Sequence, residues 1–353
     1  MPIFEAEALR KLGLDLFAKV GVPADDAALV ADHMVDSGLR GHESHSVLRY
    51  PQYVDAVRNG LVKPGAQMEV VKETPRMAQV SGNWNFGPVT ATQAMELAID
   101  KTRDGALAVV TVRECNHVAR LGGFAQLAAD QGMIAIICCN GHGADYSTTP
   151  FGGMERRLPT NPLAVAIPTR REWPILLDMT TSAISGGAMR VLRNRQEPVP
   201  EHCMIDAAGQ ASTDAEAYYG PPPGAPLPLG FPMTGHKGSG LSLVIDIMAG
   251  ALSGAGCTRE DSPRDGNALF IAVLNIEAFV PMEEFLDETE RFVTWVKSAR
   301  LQSGFEEILF PGEKSHRISE ERSKAGLEVD DVAWAQIYNL AAELGVALPA
   351  SRG

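Results

Sequence analysis

Read for hydrophobic spacing alone, the chain opens with two helices. "FEAEALRKLGLDLFAKVG" and "PADDAALVADHMVDSGLRG" both repeat apolar residues three and four apart, the period of one helical face. The second carries Pro23 and two aspartates in its first turn and reaches Ser37-Gly38, a start and stop pair for a helix. A third helix is predicted around "SVLRYPQYVDAVRNG". From about residue 80 the texture changes. Short β-rich runs ("ALAVVTV", "MIAIICCN", "LAVAIP", "WPILLDM", "NALFIAVLNI") alternate with helical runs ("PVTATQAMELAIDKTRDG", "GGFAQLAADQG", "GLSLVIDIMAGAL"), an α/β pattern. Residues 196–235 are a Pro/Gly-rich excursion without periodicity, of a length that usually serves a surface wrap or a subunit contact. The end of the chain returns to helix in "ETERFVTWVKSARL" and "DDVAWAQIYNLAAELG", around the loop "LFPGEKSH". The expected organisation is an N-terminal helical part (1–80), an α/β part (81–290) and a C-terminal helical part (291–353).

Composition narrows the function. At 353 residues, 45% hydrophobic, the chain is long enough for a sizeable core and for two lobes. Its net charge of −13 repels phosphate backbones and anionic membranes, which argues against a nucleic-acid partner. The N-terminus lacks the uninterrupted apolar run of a signal peptide, and no stretch approaches the roughly 18 apolar residues of a membrane span. The five cysteines (Cys115, Cys138, Cys139, Cys203, Cys257) have no zinc-type spacing. Cys138 and Cys139 fall in a strand, where neighbours point to opposite faces, and read as small buried hydrophobes in a reducing cytoplasm.

Candidate chemistry concentrates in "GLRGHESHSVLRY", at the junction of two predicted helices. A zinc protease needs histidines at i and i+4 with glutamate between. His42-Glu43-Ser44-His45 is one residue short, and spacing offers no third ligand, so no metal is expected. The dinucleotide fingerprint G-x-G-x-x-G is absent, since "GHGADY" and "GSGLSL" both fail at the third glycine. "TGHKGSGLSLVIDIMAGAL" does place Gly235, Gly238 and Gly240 ahead of an apolar helix. That is either a phosphate seat with Lys237 as counter-charge or a plain glycine-rich loop. Other polar clusters sit at strand ends: Asn116, His117 and Arg120 in "ECNHVARLGG", Thr160 and Asn161 in "LPTNPLAVAIP", and Asp178 after "WPILL". A carboxylate at that last position is costly to bury unless it is paired.

Taken in order, "LRGHESHSVLRYPQYVDAVRNG", "GPVTATQAMELAI", "NHVARLGGFAQLAADQGMIAI", "TNPLAVAIP", "LLDMTTSAISGG", "HKGSGLSLVIDIMAGALSGAG" and "LFPGE" resemble the signature segments of the type-2 malate/L-lactate dehydrogenase family over nearly the whole chain. That family includes dehydrogenases of 2-hydroxycarboxylates and reductases of cyclic 2-imino acids. The resemblance implies a homodimer that binds NAD or NADP, with NAD favoured, on a largely antiparallel mixed sheet of non-Rossmann type; the missing fingerprint then loses its force. It implies His45 as proton donor, and Ser44, Arg49, Arg120, Thr160 and Asn161 around the substrate. The cofactor-contacting segments fall on Leu176, Leu177, Asp178, Met179, Thr180, Thr181 and Ser182, on His236, Lys237 and Gly238, and on Gly312, Glu313 and Lys314. Ser46 and Pro159 stand where the family usually has glycine, and "LPLGFPMTGHKG" carries a few extra residues.

The resulting expectation is a cytoplasmic oxidoreductase that moves a hydride between a nicotinamide and a small 2-hydroxy or 2-oxo carboxylate. His45 suits the hydroxyl proton and Arg49, with its planar fork, the carboxylate. His117 and Asp178 are further catalytic candidates, Asp178 as orienter of a histidine or of the nicotinamide. His33, His42 and Glu43 read as solvated helix-end residues. The alternatives are a cyclic 2-imino acid reductase and, in another class, a zinc-dependent hydrolase built on His42 and His45. Arg190, Arg193 and Arg195 suit either a 2′-phosphate or a solvated helix.

Overall fold

The computed structural model describes residues 1–143, 146–262 and 264–352. A short strand β1 (Ile3–Phe4) leads into α1 (Ala6–Lys19) and α2 (Ala24–Leu39), whose inward stripes include Leu9, Leu16, Phe17, Val30 and Met34, all fully buried. Each such side chain contributes about 1.5 to 3 kcal/mol by leaving water. Helix α2 does not stop at Ser37-Gly38. It runs to Leu39, is capped at Arg40, and turns at Gly41, where φ is 83°. Gly38 is instead a place of close approach, because a Cβ there would collide with the hydroxyl of Ser46. Two single 3-10 turns (Glu43–His45 and Val47–Arg49) then lead into α3 (Tyr50–Arg58).

The sheet begins earlier than the pattern predicts. Strands β2 (Glu69–Thr74) and β3 (Met77–Ser81) belong to it, so the expected boundary at residue 80 falls inside the sheet. β2 is exposed on both faces and reads "EVVKET", which has no alternation to detect. The following elements are α4 (Gly87–Arg103), β4 (Leu107–Cys115), α5 (Leu121–Ala129), β5 (Met133–His142), β6 (Leu163–Ile167), β7 (Ile175–Met179) and α6 (Gly186–Arg195). The Pro/Gly-rich excursion then forms β8 (Met204–Ile205), α7 (Ala215–Tyr219) and β9 (Ala225–Pro226). Helix α8 (Gly235–Ile245) continues into a wider π turn (Asp246–Ala251), and β10 (Gly266–Asn275) follows. Gly235, Gly238 and Gly240 thus lie within the first turns of α8 instead of in a loop before it.

The sheet order is β2-β3-β4-β10-β5-β6-β7. β3 and β4 pair in parallel and every other adjacent pair is antiparallel, so this is a mixed sheet in an α/β fold. Alternation along the strands splits its two faces. Val110, Val112, Leu269, Ile271 and Ile137 bury against α4 and α5. On the opposite face Asn140 and Ala268 stand side by side, and Asn140 reaches Asp246 of the π turn.

After β10 come α9 (Met282–Lys297), α10 (Glu313–Ala325), β11 (Leu327–Glu328) and α11 (Asp331–Leu344). Helix α10 escapes the hydrophobic pattern because only Glu313 on it is buried. The C-terminal segment is not a separate part. β11 pairs with β1, and Leu327, Ile337, Leu340 and Ala341 share one core with α1, α2 and α3.

Candidate active site

Three chain reversals converge at the C-terminal ends of β4 and β7: the 3-10 turn after α2, the loop from β4 to α5, and the loop from β7 to α6. Between them lies a cavity of about 750 Å³. His45 and Ser44 come from the first, His117 and Arg120 from the second, and Asp178, Met179 and Thr180 from the third; Arg49 and Thr160 complete the wall. The approach of α6 is tight, because a Cβ on Gly187 would stand 2.8 Å from Ser44 Cβ and 3.2 Å from Arg49 Nη2. Ser46 takes φ −92° and ψ −159°, an extended conformation that needs no glycine, and the missing side chain of Gly38 makes room for it.

His45 and His117 lie parallel, with ring centroids 5.7 Å apart and planes 2° from coincidence. Ser44 Oγ sits 3.0 Å from His45 Nδ1, and Tyr53 Oη sits 2.9 Å from His117 Nδ1. Burial, then the neighbouring His117 and the Arg49 guanidinium, hold His45 well below the usual imidazole range. Burial, helped by Arg49, lowers His117 to about 3. Both rings are therefore neutral at pH 7, the state a base needs.

Arg49 donates through Nε to the Ser44 carbonyl at 2.8 Å and through Nη1 to Gln52 Oε1 at 2.5 Å, so it also braces the 3-10 turn that carries His45. Arg120 is 3% exposed. Its Nη2 donates to Asp36 Oδ2 at 2.7 Å, while Nε and Nη1 have no hydrogen-bond partner among the described residues. Burial pulls the Arg120 pKa down and Asp36 and Asp178 push it back up. Asp178 accepts the Gly122 N–H at 2.8 Å, at the positive end of α5, which offsets the cost of holding a carboxylate there. Its charge faces His42 and Arg120 instead of His45.

Two expectations are corrected. His33, His42 and Glu43 are not solvated helix-end residues. His33 stacks on Phe124 at 4.5 Å, and burial followed by Arg120 lowers its pKa to about 3. His42 lines the cavity, and Glu43 is paired with Arg322 at 2.6 Å. Asn161 does not face the cavity: it is fully buried with φ 34°, and Nδ2 donates to Asp246 Oδ2 at 3.0 Å and to the Ser242 carbonyl at 2.9 Å. Of the residues expected at the dinucleotide, Asp178, Met179 and Thr180 line the cavity, while the others are not among its lining residues. Leu176 N–H donates to the Pro311 carbonyl at 3.0 Å, and a Cβ on Gly312 would lie 3.1 Å from Leu176 Cβ. Glu313 is tied down by Lys297 at 2.7 Å. At the other end Thr181 bonds the Thr160 carbonyl, Ser182 bonds the Ile184 carbonyl, and the Leu229 that packs on Gly238 bonds the Thr181 carbonyl. Leu177 is within β7, His236 packs edge-on against Phe151, and Lys237 is exposed.

Sequence reasoning missed Gln52, Tyr53 and Asn267. Gln52 and Tyr53 lie three and four residues beyond Arg49, on the same helical face, a spacing that could have flagged them. Asn267, whose side chain accepts the Val118 N–H at 2.9 Å, carries no such signal. Arg190 and Arg195 line the cavity beyond Gly187, whereas Arg193 is exposed and paired with Glu216 at 2.7 Å.

The pH dependence of stability follows from the buried imidazoles. His33 and His117 titrate near 3 when folded and near 6.5 when unfolded, so below pH 6.5 unfolding takes up protons. Stability that is complete above pH 6.5 is lost as pH falls from 6.5 toward 3. The urea midpoint is expected to drop between pH 7 and pH 5, and a constant midpoint over that range would contradict neutral, buried rings.

Paired neutral histidines beside arginines line a half-open cavity, an arrangement suited to acid–base chemistry on a small anion. The chain matches the family described as malate/L-lactate dehydrogenase over residues 4–338. It is 37% identical to the malate dehydrogenase of Pyrococcus horikoshii over 338 residues, 94% of this chain and 92% of that protein. The solved structure of the P. horikoshii OT3 enzyme aligns with TM-score 0.89 at 34% identity, covering 99% of this chain and 97% of the other. The L-sulfolactate dehydrogenase of Methanocaldococcus jannaschii is 36% identical, covering 98% of each chain, and the L-lactate dehydrogenase of Cupriavidus necator is 34% identical over 96% of this chain and 97% of that one. The protein belongs to the malate/L-lactate dehydrogenase family and is an oxidoreductase of hydroxycarboxylates. A zinc-dependent hydrolase finds no support in these relatives.

Proposed function

We propose that the protein is an NAD(P)-dependent dehydrogenase of a small 2-hydroxycarboxylate, with the parallel, neutral pair His45 and His117 beside Arg49 as the observation that carries the reading. A bound nicotinamide supplies the hydride acceptor for C2 of the alcohol. His45 takes the hydroxyl proton as the C–O double bond forms, and returns it in the reverse reaction. A substrate carboxylate beside the rings raises the His45 pKa, which makes its protonated form accessible for reduction. Arg49 and Arg120 hold the carboxylate, Ser44 orients His45, and Asp178 secures the α5 end of the cavity. Thr160 lines the substrate side, and Asn161 acts from behind it by fixing the backbone.

The fit to a dinucleotide rests on the track beside β7. Asp178, Met179 and Thr180 open on the cavity, and Leu176 meets the turn at Gly312. The largely antiparallel pairing supports a non-Rossmann binding sheet, carried by residues 69–275 and flanked by one helical core built from both ends of the chain. NAD is favoured over NADP because Arg193 is engaged by Glu216 and Arg190 by Gln336. Exposed apolar residues on α8 and its π turn (Leu243, Val244, Ile247) and on α9 (Phe292, Trp295) support a homodimer. Five unbridged cysteines support a cytoplasmic location, and no helix among the described residues is long and apolar enough to cross a membrane.

The test is a panel of 2-oxo acids and cyclic 2-imino acids assayed with NADH and NADPH, before and after exhaustive EDTA dialysis, with sedimentation to give the mass. Turnover of a 2-oxo acid, insensitive to chelation, at the mass of two chains is expected. Turnover of imino acids alone shifts the assignment to the reductase, and metal-restorable loss of activity overturns the mechanism.

A further inference from the structure

We propose that Tyr53 is a positioning residue that holds His117 in one tautomer, with the proton on Nδ1 and the lone pair of Nε2 presented to the cavity. Tyr53 projects inward from α3, is 4% exposed, and meets the imidazole edge-on at 84°. Its hydroxyl oxygen lies 2.9 Å from His117 Nδ1 and 2.9 Å from the carbonyl oxygen of the same residue. A phenol has one proton to give. The carbonyl can only accept, so the proton goes there, and Nδ1 must then donate to the phenol oxygen. The opposite assignment sets two oxygens 2.9 Å apart with no hydrogen between them, leaving a partly buried carbonyl facing a lone pair. Burial pushes the Tyr53 hydroxyl far above its usual value, so the phenol keeps its proton.

The backbone that carries His117 is fixed as firmly as its ring. Asn116 Nδ2 donates to the Trp84 carbonyl at 2.7 Å, and the Val118 N–H donates to Asn267. A Cβ on Gly87 would run into the His117 carbonyl group, so the start of α4 closes the remaining side. His117 Nε2 makes no hydrogen bond among the described residues, and the ring lines the cavity. Toward a ligand, His117 is thus an acceptor. It can bond a hydroxyl, which carries a hydrogen, and cannot bond the keto oxygen of the same carbon skeleton. Tyr53 thereby sets a preference of the resting site for the hydroxy acid over the oxo acid, and leaves proton exchange to His45.

The kinetic consequence rests on the dehydrogenase reading above, whereas the tautomer does not, and the experiment separates the two. Full-length protein labelled with ¹⁵N-histidine is examined by two-bond ¹⁵N–¹H correlation, with His117 identified by the signal lost in His117→Asn. The expected wild-type pattern is protonated Nδ1 and bare Nε2, unchanged from pH 7.5 to 5.5. Tyr53→Phe keeps the packed ring, and is expected to move His117 toward the Nε2–H form that free imidazole prefers. In the same variant kcat for hydroxy-acid oxidation should fall roughly tenfold, the usual scale for one hydrogen bond, and binding of the hydroxy acid relative to its oxo acid should weaken. An Nε2–H pattern in the wild type overturns the proposal, as does an unaltered pattern in Tyr53→Phe. If no hydroxy acid is turned over, the dehydrogenase reading fails, and the wild-type spectrum still decides the tautomer.

Discussion

His45→Ala is expected to lower kcat by roughly 10² to 10⁴, the usual contribution of a positioned general acid–base group, and to leave NADH binding nearly unchanged. The split between the two measurements follows from the geometry. His45 hydrogen-bonds Ser44 and stacks on His117, both on the proposed substrate side of the cavity, whereas the dinucleotide is proposed to lie along β7. Loss of the second ring in His45→Ala/His117→Asn should then cost far less than the product of the single losses, because residues that act as a unit are not additive. A near-wild-type rate in the single variant would remove His45 from the mechanism. Multiplicative effects in the pair would mean that the rings work independently despite their parallel stacking.

The second large effect belongs to Arg49, because it tests whether the substrate is a carboxylate. Arg49→Lys keeps the charge and loses the planar fork, and charge-assisted hydrogen bonds contribute about 1.5 to 3 kcal/mol each, so kcat/KM should fall on the order of ten- to a hundredfold. That loss alone is ambiguous, since Arg49 also ties down the Ser44 carbonyl and Gln52. The comparison that isolates substrate contact uses the amide or ester of the best 2-oxo acid. Wild type should strongly prefer the acid, and the variant should show a much smaller preference. Equal discrimination by both enzymes would make Arg49 a structural brace of the catalytic turn. The clamp would then be sought at Arg120, whose Nε and Nη1 have no hydrogen-bond partner among the described residues.

What the sequence revealed and what it concealed divide along physical lines. Elements that bury one face were legible, since α1, α2, α4 and α11 follow the helical period and β10 is an apolar run in the middle of the sheet. Elements without such a face were not: β2 is an exposed edge, and α10 has Ile318 as its one large apolar residue. In the site, His45, His117, Arg49, Arg120 and Asp178 were visible as polar residues at the ends of apolar runs, and the fold does bring them together. Their partners were harder to see. Nothing local links His33 to Phe124 or Glu43 to Arg322, because those contacts join segments far apart in the chain. Asn161 misled for the opposite reason. Its neighbour Thr160 faces the cavity, and the positive φ at Asn161 turns its side chain to Asp246 behind the sheet.

The pairing of β1 with β11 orders the birth of the enzyme on the ribosome. Helices α1 to α3, which carry the turn bearing His45, complete their core only with Leu327, Ile337 and Leu340, roughly 270 to 280 residues after α3 ends. At roughly 5 to 20 residues per second, their apolar faces wait for about 15 to 60 s after they emerge. The sheet with α4 and α5 draws its own core from within residues 78–273 and can close during that interval. Arg322 then arrives to clasp Glu43 and the Gly38 carbonyl, so the turn bearing His45 is among the last parts of the nascent chain to be secured.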